Sequence, residues 1–171
     1  MIMNATADEL SEACHTMSEE QQNPFELGPY VQVAAFCERV LREADGVMSL
    51  VRVVDRIEHV ERRPDAPRDM PEVHYPLTLV LALKSGRAKG RYEVTITPVQ
   101  PSGEPMPSVT MTVQLEGENR GVNIVSPIDV PYRQEGLYWF NITFDGVILT
   151  RLPLEVRYSR LVTGPPSGQS T

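Results

Sequence analysis

The clearest pattern in the chain is a period-2 alternation of apolar and polar residues within Glu135–Tyr158. Every second residue of Tyr138–Phe144 is large and apolar, which is typical of a strand with one buried face. Asp145-Gly146 then predicts a tight turn, because both residue types tolerate a positive φ. The alternation resumes over Leu152–Tyr158. We therefore predict that this stretch forms two adjoining antiparallel strands.

Six further segments alternate in the same way or are apolar on both faces, and we predict a strand in each: Tyr30–Cys37, Val47–His59, Tyr75–Lys84, Arg91–Val99, Ser108–Leu115 and Gly121–Val130. Turns are expected between them, including Ser85–Gly90, which is flanked by glycine. Glu38–Asp45 is the one stretch with helical propensity and Gly46 would end it, so we expect a short helix or wide connection near residues 38–45. About eight strands at this spacing predict an all-β fold, an antiparallel β-sandwich. No helical repeat lies between the strands to favour a parallel α/β sheet.

Charge is distributed unevenly along the chain. The formal net charge is −7, and residues 1–29 carry six acidic side chains and no Lys or Arg. Few residues in this leader are apolar, so we expect residues 1–29 to be a disordered acidic leader, residues 30–160 the β-sandwich domain and residues 161–171 a disordered tail. The domain itself is close to neutral. It has no basic surplus for phosphates, so no nucleic acid partner is expected.

The two cysteines, Cys14 and Cys37, cannot join facing strands, because the late strands contain none. A reduced, cytoplasmic setting is therefore expected. Met1–Gln22 lacks the basic and apolar regions of a secretory signal. The longest apolar stretch, around Leu77–Leu83, is too short to span a bilayer, so no membrane association is expected.

Candidate catalytic and metal-binding residues do not form a recognisable constellation. The three histidines are separated in sequence, with no pair at the spacing of a metal site: they are His15, His59 and His74. Cys37 could be imagined as a thiol nucleophile. However, a cysteine in a strand that is apolar on both faces is more typically a small buried hydrophobe. We expect no catalytic residue, no cofactor and no metal.

Two features of the late strands are similar to immunoglobulin-like sandwiches. Gly136-Leu137-Tyr138 begins a penultimate strand, where a Tyr can fold back as a corner, and Leu152–Val156 follows in the last strand. This resemblance implies an immunoglobulin-like architecture only, because the Cys–Trp–Cys framework of antibody domains is absent.

The chain also resembles a family of uncharacterised bacterial proteins catalogued as a domain of unknown function, over roughly Tyr30–Tyr158. The resemblance rests on three segments, Ala35–Glu38, Gly46–Ile57 and Glu135–Val156. It implies an immunoglobulin-like sandwich and brings no catalytic residues, because none are established for the family.

Two predicted strands carry apolar residues on the face away from the core. If Tyr138 and Phe140 point inward, then Leu137 and Trp139 point outward, and Val80 and Ala82 do so on the leucine-rich strand. Exposed apolar area often marks an interaction surface, and Trp is a favoured anchor there. The alternative is that the short helical segment, the leader or the long Pro-containing loop covers this face.

These observations lead to a first hypothesis, a non-enzymatic cytoplasmic β-sandwich that acts as a protein-interaction or assembly module. Its partner would be another protein or a second copy of the chain. A second hypothesis is a small-ligand or carbohydrate-binding sandwich with its site in the loops Val60–Val73 and Gln100–Pro107, which contain few aromatic residues. An enzyme that uses Cys37 is a third.

Overall fold

The structure, a computed structural model, describes residues 27–161. The predicted leader and tail therefore lie almost entirely outside the described residues. Residues 27–161 form nine strands, where about eight were predicted, and no helix. The strands are β1 (Tyr30–Arg42), β2 (Met48–Val54), β3 (Arg56–Glu61), β4 (Val73–His74), β5 (Leu77–Val99), β6 (Val109–Ile128), β7 (Pro131–Tyr132), β8 (Gly136–Phe144) and β9 (Val147–Arg160). The fold is all-β, as predicted.

Seven strands form one hydrogen-bonded sheet in the order β2-β1-β5-β8-β9-β3, with β6 also paired to β5. The other two, β4 and β7, form a small separate sheet. Neighbouring strands are antiparallel, except that β3 runs parallel to β9. The sheet is therefore mixed, and the prediction of a purely antiparallel arrangement is wrong at this edge.

The long hairpin of β5 and β6 connects two groups of strands. The first part of β5, from Leu77 to Lys84, pairs with β1, and its last part, from Val94 to Val99, pairs with β8. β6 follows β5 along both parts. Register shifts occur on both sides of Gly86, where the predicted turn Ser85–Gly90 is instead an irregular stretch within β5. One group is thus β2, β1 and β5–β6, and the other is β5–β6, β8, β9 and β3.

Both groups contribute side chains to a single core. The inward residues of β5 and β8 are fully or almost fully buried, and they meet residues of β1, β3, β6 and β9. Burying a Leu or Phe side chain stabilises a fold by about 1.5–3 kcal/mol, so this cluster is the main source of stability. Its largest fully buried side chains are Tyr132, Tyr138, Phe140, Leu79, Leu81 and Leu83.

Tyr138 folds back on the chain that precedes β8, as predicted. Its hydroxyl accepts hydrogen bonds from the backbone N–H groups of Arg133 and Gln134 at 3.3 and 3.4 Å. The same hydroxyl donates to the carbonyl of Gln134 at 3.2 Å. The bonds satisfy the phenol inside the core and fix the approach to β8.

The short helix or wide connection expected near residues 38–45 is not formed. β1 continues to Arg42, and Arg39 to Arg42 lie opposite Val51 to Met48 in the β1–β2 ladder. A tight turn follows, in which the N–H of Glu43 donates to the carbonyl of Val47 at 2.8 Å. Helix propensity is a weak preference, and pairing with β2 satisfies the same backbone groups while extending the sheet.

Candidate functional site

Trp139 lies on the outer face of β8. The alternate residues from Tyr138 to Phe144 are buried in the core, whereas Leu137 is 41% exposed and Trp139 is 39% exposed. This is the period-2 arrangement expected from the sequence. The structure thus presents the largest aromatic side chain of the strand away from the core.

The strands on either side of β8 place apolar residues beside Trp139. Val99 of β5 and Pro153 of β9 both lie directly opposite it in the ladders. Directly opposite residues of antiparallel strands point to the same face, so the three side chains form a row across three strands. Leu137, two residues before Trp139, lies on the same face of β8. We call these four residues the Trp139 patch: Val99, Leu137, Trp139 and Pro153.

Polar residues border this patch along the sheet. The next row consists of Thr97, Asn141 and Arg151, which occupy opposite positions on β5, β8 and β9. On the other side, Glu155 lies opposite Leu137 and forms an ion pair with Arg157 at 2.8 Å. An apolar centre with a polar border is the general anatomy of a protein interface.

Val80 and Ala82 do not belong to this surface, and the prediction that they are exposed is wrong. They are 0% and 7% exposed. β5 is a central strand at this point, and Ala35 of β1 and Val125 of β6 lie opposite Val80 on its two sides. Small side chains between two neighbours of this kind are shielded from solvent even on the outer side of a sheet. This part of β5 also pairs with β1 rather than with β8.

The two loops of the ligand-binding hypothesis do not line a common cavity. A cavity of about 460 Å³ is lined by residues of Gln100–Pro107 and by residues of Pro127–Arg133, and not by Val60–Val73. The latter loop packs along β9 instead. The hydroxyl of Tyr158 donates to the carbonyl of Pro67 at 2.8 Å, and Arg160 donates to the carbonyl of Ala66 at 3.3 Å.

The two histidines within the described residues occupy different surroundings. His59 stacks on Tyr158, with ring centroids 5.9 Å apart, and its Nδ1 lies 3.2 Å from the Tyr75 hydroxyl. His74 lies between two carboxylates, with Nδ1 3.0 Å from Asp129 and Nε2 3.3 Å from Glu72. Residues 27–161 contain no group of three or more His, Cys, Asp or Glu side chains arranged to hold a metal ion.

The His74 cluster is bound together by charge. Hydrogen bonds to Asp129, and then to Glu72, raise the pKa of His74 above its usual value. Arg133, whose Nε donates to Glu72 at 2.7 Å, lowers the pKa of that carboxyl, and His74 adds to the effect. This cluster could not be found from the sequence pattern, because Asp129 and Arg133 lie more than 50 residues from His74.

Cys37 is fully buried, and burial raises the pKa of its thiol, against a smaller opposing effect of the Arg39 backbone. A raised pKa disfavours the thiolate that a nucleophile requires. The environment is therefore that of a small buried hydrophobe.

A second cavity, which the sequence did not predict, opens where the chain passes from β2 to β3. Its volume is about 670 Å³, and residues of β1, β2, β3 and the segment before β5 line it. Three of them are arginines: Arg39, Arg52 and Arg56. Val47–His59 contains two of these arginines, Arg52 and Arg56. That segment alone does not show which residues of β1 and β5 lie near them.

Between Leu27 and Leu161 the chain has no helix with the length and apolarity needed to cross a bilayer. No curated protein matches this chain in sequence. Among solved structures, the chain is similar to an immunoglobulin-like protein from Pseudomonas aeruginosa, with a TM-score of 0.38 and 9% sequence identity. That likeness covers 76% of this chain and 97% of the other. The model of a family of unknown function, DUF6941, matches residues 32–157, and the chain therefore belongs to this family.

Proposed function

We propose that this domain is a non-enzymatic protein-interaction module that docks a protein partner through the Trp139 patch. The observation that carries the proposal is the row of Val99, Trp139 and Pro153 on three adjacent strands, with Trp139 39% exposed at its centre. We further infer that the two strand groups are the layers of an immunoglobulin-like sandwich, which the fold-back of Tyr138 supports.

Trp139 is suited to anchor a partner because the strand beneath it is rigid. β8 is paired on both sides, and its inward residues Phe140 and Ile142 are completely buried. An anchor held in place before binding loses little conformational freedom when the partner docks. Tryptophan also contributes a large contact area with few rotatable bonds, which is why it is common among residues that dominate binding.

The border of the patch favours a protein partner over a purely apolar ligand. Asn141, Thr97 and Arg151 can hydrogen-bond to a partner's rim, while the apolar centre excludes water. The partner surface should therefore have an apolar depression for the indole ring, surrounded by polar groups. A second copy of the chain is the alternative occupant, and the experiment below separates the two.

Trp139 is the only tryptophan in the chain, so its fluorescence reports on this patch directly. A candidate partner that docks there should shift the emission to shorter wavelength and protect Trp139 from iodide quenching. Light scattering over a range of concentrations would show whether the chain alone associates. A blue shift that follows self-association would identify a second copy as the occupant.

The variant Trp139→Lys should abolish capture of the partner, and Thr112→Lys is a matched control. Thr112 is exposed on β6, opposite Glu93 of β5 and outside the patch. Unchanged assembly and unchanged partner capture by Trp139→Lys would contradict the proposal. Equal losses in Trp139→Lys and Thr112→Lys would also contradict it.

A further inference from the structure

The passage from β2 to β3 forms a cavity between the two strand groups. β2 pairs with β1, β3 pairs with β9, and only Asp55 separates them along the chain. The cavity of about 670 Å³ lies at this crossing. Its volume is within the range of about 300–1,000 Å³ that is usual for small-molecule sites.

The lining has an apolar part that belongs to the core. Ile57 and Leu77 are buried core residues, and Val54 packs against the same cluster. Pro76 and Tyr75 complete this side, and the Tyr75 hydroxyl lies 3.2 Å from His59. This part of the cavity can therefore receive an aliphatic or aromatic group without breaking a hydrogen bond.

The charged part of the lining has one cation in excess. Nε of Arg52 lies 2.9 Å from a carboxylate oxygen of Glu38, and Nε of Arg56 lies 3.2 Å from one of Glu58. Arg39, the third arginine, forms no side-chain hydrogen bond or ion pair with any other residue of the described segment. Three arginines and two glutamates leave a charge of +1 at the cavity. A single negative charge would neutralise it.

Arg52 adopts a backbone conformation that its place in the ladder does not explain. Its φ is 54°, and it has no partner in β1, although Val51 and Val53 on either side pair with Arg39 and Cys37 without a register shift. Two other non-glycine residues of the described chain have positive φ. Asp145 lies in a turn, and Glu118 lies opposite the irregular stretch of β5. Strain of this kind persists where surrounding structure or function requires it.

We propose that this cavity binds a small amphipathic monocarboxylate, with its apolar body against Val54, Ile57 and Leu77 and its carboxylate bound by Arg39. The site already holds two carboxylates on arginines, and Arg–carboxylate pairs have favourable geometry. A phosphate monoester, with close to two charges, would exceed the charge that the lining can neutralise. The strained Arg52 holds Glu38 and leaves Arg39 available. This site is independent of the Trp139 patch.

Calorimetric titration with decanoate tests the proposal. Decanoate should bind the full chain, while decanol and decyltrimethylammonium, which share its tail but not its charge, should bind at least tenfold more weakly. Arg39→Gln should weaken decanoate binding at least tenfold. Arg91→Gln, which replaces an exposed arginine of β5 outside the cavity, should leave it unchanged. Trp139→Lys should also leave it unchanged.

A second variant, Arg52→Gly, tests whether the strained backbone at Arg52 serves ligand binding rather than stability. Arg52→Gly removes the side chain at a position where glycine is unstrained, so it should raise the melting temperature and weaken decanoate binding. If Arg39→Gln failed to fold, the affinity of the unmodified chain for decanoate would still have to fall as salt concentration rises. Decanoate that does not bind at millimolar concentration, binding unaffected by Arg39→Gln or by salt, or equal binding of decanol would overturn the proposal.

Discussion

The rings of Phe36 and Phe140 meet edge to face with their centroids 4.7 Å apart. Phe36 is in β1 and Phe140 is in β8, and these strands are not paired with each other. Their contact therefore joins the two strand groups through the core, where aromatic pairs contribute beyond their buried area.

Truncation of Phe140 should remove much of this link. Phe140→Ala should lower the free energy of unfolding by about 3–5 kcal/mol, because it deletes a fully buried ring and leaves a cavity. Urea unfolding followed by circular dichroism would measure the loss. Phe140→Leu, which keeps most of the volume, should cost under about 1.5 kcal/mol. Leu137→Ala, at the exposed position of the same strand, should change stability by less than about 0.5 kcal/mol. Similar losses for Phe140→Ala and Leu137→Ala would contradict this account of the core.

Removing the hydroxyl of Tyr138 and removing that of Tyr132 should have different effects on stability. Tyr138→Phe removes a hydroxyl that bonds to three backbone groups and should destabilise the fold by about 1–3 kcal/mol. The Tyr132 hydroxyl is buried without a hydrogen-bond partner among the described residues, and burial raises the pKa of this phenol. Tyr132→Phe should therefore be neutral or stabilise by about 1 kcal/mol. The two rings lie 5.2 Å apart in one cluster, so each variant controls for the other, and a larger loss for Tyr132→Phe would refute the prediction.

Stability should depend on pH through His74. Its pKa is raised by Asp129 and Glu72, so its contribution to stability is complete below the unfolded value of about 6.5 and is lost as pH rises through the folded pKa. The stability difference between the natural chain and His74→Gln should consequently be larger at pH 5.5 than at pH 8.5. Urea midpoints at the two pH values would show it. A difference that does not change with pH would mean that the cluster does not hold charged His74.

The carboxyl of Glu72 should add a second, opposite dependence. Arg133 and His74 lower its pKa, so its contribution is present above the unfolded value of about 4.3 and is lost as pH falls through the folded pKa. The difference in stability between the natural chain and Glu72→Gln should therefore disappear only at strongly acidic pH. NMR titration of the Glu72 carboxyl would detect the lowered pKa, and an ordinary titration there would contradict the prediction.

Cys37 should be unreactive in the native domain. Because the thiol is buried and its pKa is raised, a thiol reagent should label it only at the rate at which the domain opens. The experiment needs the Cys14→Ser background, so that the other cysteine does not contribute. Rapid labelling of Cys37 in the folded protein would reopen the possibility of a thiol nucleophile.

Local patterns in the sequence predicted the hairpin of β8 and β9 well. The alternation about Trp139 depends only on neighbours along one strand, and Asp145 and Gly146 do adopt positive φ in the turn. The prediction of a helix near residues 38–45 was wrong because pairing between β1 and β2 outweighs a weak helix propensity. The prediction that Val80 is exposed was wrong for a related reason. Exposure depends on which strands flank β5, and the pattern of β5 alone does not contain that information.

The two candidate sites also differ in how much of each could be found from the sequence. Trp139 could be found from one strand, whereas its neighbours Val99 and Pro153 required the sheet register. The cavity at Arg39 required more, because it is formed by segments nearly 40 residues apart in sequence. Predicted strands were also divided wrongly: one prediction, Val47–His59, became β2 and β3, while β5 and β6 each join two predicted strands across glycines that bend the chain without reversing it.

The shared hairpin of β5 and β6 has a consequence for cooperativity. Each group of strands includes part of β5 and β6. If one group separated from the core, the other would therefore lose part of its own pairing. The domain should therefore open as a single unit, with its slowest-exchanging amides on β5 at both ends of the strand. A cut or insertion near Gly86 would disturb the Trp139 patch and the arginine-lined cavity together, although neither lies at that point of the chain.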